Sequence, residues 1–210
     1  MELAWELYEA ATTGDVQEVR ALLSEGADLR LVDHDSFEDD QFYELYRYPE
    51  VVRALLEADA LDPNDGNSYA MLLICEEGWV GSLRLLLIDG RADPNVKQDS
   101  RTPIIIACAY GRTQAVRLLL LDGRADPAAI KSGVIRWCAR RGRVEILRLL
   151  MKDGRADPSA NNNSGMKQAL AVKNWEIVRI LMNDSRVART IDRDLTHGEL
   201  HLARKVAKGY

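Results

Sequence analysis

Residue types able to carry chemistry occur in three places along this 210-residue chain. His197, Glu199 and His201 form the first: two histidines four apart share one helical face, the arrangement that zinc sites use. Yet Thr196 and Glu199 also spell the T-x-x-E capping box that begins a helix, and no third or fourth ligand stands nearby, so a helix start accounts for them better. Cys75, Cys108 and Cys138 form the second. A nucleophilic thiol needs a histidine and an orienting acid beside it. The remaining histidine, His34, sits in an acidic loop, so these cysteines read as small core residues. The third is a series of arginines that could pass for a phosphate track, but one repeat apart they stand on the order of a Debye length from one another, so their repulsion is screened and they read as a solvated face. Phosphate-cradling glycine loops and paired catalytic carboxylates are not evident, and no catalytic, cofactor or metal residue is expected.

Charge narrows the partners. A net charge of −5 argues against nucleic acid as a ligand, because phosphate binding needs a surplus of cations. The charge is uneven: Lys131, Arg136, Arg140, Arg141, Arg143, Arg148, Lys152 and Arg155 outweigh Glu145 and Asp153, whereas Asp28, Asp33, Asp35, Glu38, Asp39, Asp40 and Glu44 outweigh Arg30. Such polarity steers and orients a complementary protein. The N-terminus lacks the basic and apolar regions of a secretory signal, and apolar runs such as Pro103 to Tyr110 are too short to cross a bilayer. With an odd number of cysteines, these features point to an intracellular protein, cytoplasmic or nuclear, with reduced thiols.

The elements that must position these residues repeat. DGRADP begins at Asp89, Asp122 and Asp153, each copy preceded by Arg and an aliphatic run, as in Arg84-Leu-Leu-Leu. Extended outward, the arginines are Arg20, Arg53, Arg84, Arg117, Arg148 and Arg179, in steps of 33, 31, 33, 31 and 31 residues. Val144, Leu147, Leu150 and Met151 show the helical spacing inside one unit. A shorter helix precedes each such helix, and Gly14, Gly78, Gly111 and Gly142 permit the tight turn between the two. Asp-Pro at Asp62, Asp93, Asp126 and Asp157 ends the second helix, because the residue before proline is driven out of the α region.

These residues resemble the ankyrin repeat. Thr102-Pro103-Ile104-Ile105-Ile106-Ala107 is similar to its opening TPLHxA, and Ala10 through Asp28 match the rest of a unit almost position by position. The resemblance implies an all-α solenoid of about six helix-turn-helix repeats joined by short hairpin-like turns (1–33, 34–64, 65–97, 98–130, 131–161, 162–190) and a capping helix over 191–210. Leu200 to Ala203 looks like the opening of that cap, with His201 on the structural TPLH histidine. Two departures stand out: the arginine of DGRADP lengthens the usual turn, and the second repeat has no clean first helix among Ser36 to Arg47. The family implies a non-enzymatic, monomeric module that grips another protein through a concave groove, as an adaptor, a host-targeting effector or an inhibitor occluding an enzyme such as a kinase. Carried over by position, the contact residues are Glu76, Glu77, Asp99, Arg101, Tyr110, Lys131, Arg140, Arg141 and Asn162, with Tyr110 the favoured anchor and Trp79 and Trp175 near the turns.

Overall fold

The computed structural model describes residues 2–32 and 39–209, which fall into two compact units, Met1–Val96 and Lys97–Tyr210. In the first unit, α1 (Glu2–Thr13) and α2 (Val16–Ser24) pair. A 3-10 stretch over Asp39–Arg47 and α3 (Pro49–Glu57) form the next pair, followed by α4 (Asp65–Glu77) and α5 (Val80–Asp89). The weak first helix expected in the second repeat is therefore a 3-10 segment, and Asp33, His34, Asp35 and Glu38 lie outside the described residues.

The second unit holds α6 (Pro103–Tyr110), α7 (Thr113–Asp122), α8 (Ala129–Arg141), α9 (Val144–Asp153), α10 (Ala160–Ala171), α11 (Trp175–Met182), α12 (Ser185–Asp194) and α13 (His197–Ala207). First helices pack on first helices, α6 on α8, α8 on α10 and α10 on α12, while α7, α9, α11 and α13 stack in the same way. Two layers result, with Val116, Leu119, Ile146, Leu147, Leu150, Ile177 and Leu181 almost wholly buried between them. Each buried leucine contributes roughly 1.5–3 kcal/mol.

The C-terminal end differs from the expected single cap. Two helices are present, and α13, which carries Leu200 to Ala203, stacks on the second helix α11 and not on a first helix. His201 is exposed there, so it does not occupy the place of the structural TPLH histidine. The capping box is as read: Thr196 Oγ1 accepts from the Glu199 amide, and the Thr196 amide donates to the Glu199 carboxylate. The first-helix place belongs to α12, which starts at Ser185 without the Asp-Pro stop or glycine that marked earlier units.

Local chemistry explains the punctuation. First helices end on Gly78, Gly111 and Gly142 with φ of 80°, 77° and 68°, where the backbone must turn left-handed. The Asp-Pro pairs do not end the second helices as expected: α5, α7 and α9 stop earlier, at Asp89, Asp122 and Asp153, on the left-handed Gly90, Gly123 and Gly154, and the aspartates before proline shape the turn that follows. Asp62, Asp126 and Asp157 accept a hydrogen bond from the amide two residues on, catching the first donor after the donorless proline. Close stacking depends on Gly165, where a Cβ would lie 2.7 Å from Ile135 Cγ2.

The arginine of DGRADP is a clip between units of the repeat. Arg155 grips Asp153 with Nε and Nη2 at 2.9 Å each, then donates from Nη1 to the carbonyls of Gly123 and Ala125 in the preceding turn, both at 3.0 Å. Arg186 repeats this on Asp184, Gly154 and Ala156. In the first unit Asp59 stands between Arg30 and Arg91 and accepts from both. These hydrogen bonds hold the aspartate carboxyls of Asp89, Asp153 and Asp184 below the usual range, against the opposing effect of partial burial.

Candidate protein-binding surface

The residues at the ends of the first helices and at the turn tips are presented by two local devices. At a helix's C-terminal end, the left-handed glycine breaks the helix and leaves the two residues before it pointing out of the stack. Tyr110, 46% exposed, ends α6; Arg140 and Arg141 end α8, exposed, at the corresponding position. At its N-terminal end, α8 opens with Ile130, Lys131 and Ser132 and α10 with Asn161, Asn162 and Asn163, all left-handed with φ between 52° and 57°. Asparagine tolerates that conformation; isoleucine pays steric strain for it. The third residue of each trio turns inward: Ser132 Oγ accepts from the Asp157 amide, and Asn163 donates to Thr190 and Asp194. Lys131, Asn161 and Asn162 are left exposed. Asp99 and Arg101 sit instead on a true hairpin, closed by the Gln98–Arg101 bridge with Asp99 and Ser100 left-handed.

Of the nine candidate contact residues, Glu76 and Glu77 belong to the first unit, and the other seven to the second. Glu77 lines a depression of about 430 Å³ with Glu44, Arg47, Leu73 and Trp79. In the second unit Lys131 lines a depression of about 350 Å³ between the openings of α8 and α10, with Ile130, Gly133, Arg136, Asn161 and Ser164. Arg140 and Arg141 converge with Arg136 on Trp137, their guanidinium carbons 5.5, 5.9 and 5.9 Å from the ring centre.

Trp137 was not singled out from sequence, although the run Arg-Trp-Cys-Ala-Arg-Arg puts residues 136, 137, 140 and 141 on one helical face. An aromatic cluster was also missed: Tyr8 stacks on Phe42, and Tyr43 contacts Phe42, Tyr46 and Tyr69. The aromatic density of residues 42–48 was its signal. The arginine series lies on the second helices, and two of its members pair with carboxylates one repeat on, Arg117 with Glu145 at 4.0 Å and Arg148 with Glu176 at 2.9 Å, while Arg53 pairs with Glu50 of its own helix. Exposed pairs of this kind add little stability.

Residues 43–131 match the family model for ankyrin repeats, in three copies, and residues 135–163 match a further ankyrin repeat, together more than half of the chain. The chain belongs to the ankyrin repeat family. No curated protein matches it. Ankyrin repeats are in general protein–protein interaction modules, and in this ankyrin protein Tyr110, Lys131, Arg140, Arg141 and Asn162 are exposed at helix ends and turn tips. Among the described residues no helix is long and apolar enough to cross a membrane, and no three His, Cys, Asp or Glu side chains gather as a metal site.

The cysteines of this ankyrin protein are buried, and burial pushes the Cys75 thiol far above its usual range. A buried, protonated thiol is a poor nucleophile. Ellman's reagent is therefore expected to label none of the three in the native protein and all three in strong guanidinium.

Proposed function

We propose that this protein is a non-enzymatic binding module that holds one partner protein through the first-helix ends and turn tips. The division of each first helix carries the reading. In α6 and α8, Ile104 to Cys108, Val134, Ile135, Cys138 and Ala139 are buried, while Tyr110, Arg136, Arg140 and Arg141 are exposed. The buried positions keep the fold, and the exposed ones can vary to specify a ligand. Roles as adaptor, effector or inhibitor all use this contact.

Site-specific photo-crosslinking in the native cell tests it. A crosslinker placed at Tyr110 or Lys131 is expected to trap one protein in near-stoichiometric yield, and one placed at Leu121, exposed on the outer helix α7, is expected to trap none. Trapping only from Leu121, or from no position, would overturn the reading.

A further inference from the structure

The second unit has a surface on which several cations cluster without a carboxylate partner. Between Pro127 and Val144, and between Pro158 and Trp175, there is no aspartate or glutamate, so the stacked helices α8 and α10 and their openings carry no acid of their own. Several other arginines of this unit have carboxylate partners: Arg155 has Asp153, Arg186 has Asp184, Arg193 has Asp194, Arg204 has Asp192. On α10, Lys167 lies in the field of Asp194 and Glu199. Arg136, Arg140 and Arg141 form no ion pair with any described residue; they gather instead around Trp137.

Three guanidinium groups around one half-buried indole repel one another while the ring attracts each of them. The indole also limits the rotamers of these side chains, which lowers the entropy lost when they bind. Each guanidinium presents a planar fork that matches a carboxylate at two points, and a carboxylate arriving among them relieves the repulsion. The depression between Ile130, Lys131, Arg136, Asn161 and Ser164 adjoins this cluster through Arg136, and Ile130, 38% exposed, gives it an apolar wall.

We propose that this surface docks an acidic segment of the partner protein, with several closely spaced aspartates or glutamates on Arg136, Arg140 and Arg141 and an apolar side chain in the depression against Ile130. The proposal deepens the binding-module reading and rests on it. A nucleic acid fits less well. Its bases need an open aromatic face, and Trp137 is surrounded by its own arginines. The chain as a whole also carries a net charge of −5, with six basic and twenty-two acidic side chains in residues 1–96, which lowers its affinity for a polyanion.

The test is fluorescence anisotropy on the full chain, with a labelled short peptide of aspartate, glutamate and two leucines, and with labelled oligothymidylate. The peptide is expected to bind more tightly than the oligonucleotide, with affinity falling as salt rises. R140E/R141E is expected to weaken it at least ~10-fold at unchanged helicity. R189E/K208E makes the same charge change at two other exposed positions of this unit and is expected to shift affinity less than about twofold. Absence of peptide binding, equal loss in both variants, or tighter binding of the oligonucleotide would each overturn the proposal. Photo-trapping of a partner from Lys131 that persists undiminished in R140E/R141E would also overturn it, while leaving the binding-module reading in place.

Discussion

Leu147→Ala is expected to lower the free energy of unfolding by about 2–5 kcal/mol, the range for deleting a fully buried leucine side chain. Leu147 has no exposed surface and lies on α9, which packs against α7, α8 and α11. Its truncation opens a cavity at a junction of consecutive pairs. In a repeat protein each pair is stabilised by its neighbours, so the loss weakens the coupling on both sides as well as one helix. Urea unfolding followed by far-UV circular dichroism is expected to show an earlier midpoint and, if the coupling falls far enough, a broadened transition. Leu121→Ala supplies the contrast, because Leu121 is 77% exposed on α7, and its removal is expected to stay within about 0.5 kcal/mol. Equal costs for the two leucines would refute the stacked core described here.

That contrast also marks what the sequence made legible. The period of the buried aliphatics separated the helices from their turns, because a two-helix pair can hide its apolar residues only at helical spacing. The left-handed Gly78, Gly111 and Gly142 placed the turns after the first helices, since each acts through its own backbone geometry, whereas the Asp-Pro pairs lie past the ends of the second helices, which stop on other left-handed glycines. Features made between pairs were harder to read. Arg155 looked like an insertion in its turn, because its partners Gly123 and Ala125 are backbone carbonyls some thirty residues earlier, which leave no side-chain signature. Helix α12 was hidden for a related reason. It has no glycine or proline boundary, and only its packing on α10 assigns it a first-helix place. At the candidate surface, position within the repeat identified Arg140, Arg141 and Lys131 as exposed. The clustering of Arg140 and Arg141 with Arg136 around Trp137 depends on side-chain directions that a repeat register does not specify.

Arg186→Ala is expected to cost about 2 kcal/mol, and to do so at one end of the second unit. The guanidinium makes a two-point grip on Asp184 at 3.0 and 2.8 Å and reaches the carbonyls of Gly154 and Ala156 at 2.9 and 3.0 Å. Hydrogen bonds to a charged group contribute about 1.5–3 kcal/mol each when well shielded, but this side chain is 32% exposed and water replaces part of what is lost. Because the clip joins the start of α12 to the preceding turn, hydrogen exchange is expected to accelerate in α12 and α13 while α6 to α9 keep their protection. Arg186→Lys retains the charge without the fork and is expected to recover less than half of the loss. The clip also sets an acid dependence. Asp184 has a folded pKa below its unfolded value near 3.9, chiefly because Arg186 donates to it, so its contribution is present above that value and is lost as pH falls through the lower folded one. The thermal midpoint of the native protein is therefore expected to fall on acidification below about pH 4, and part of that fall is expected to disappear in Arg186→Ala. An acid response identical in the two proteins would mean that the carboxylate owes its low pKa to something other than this arginine.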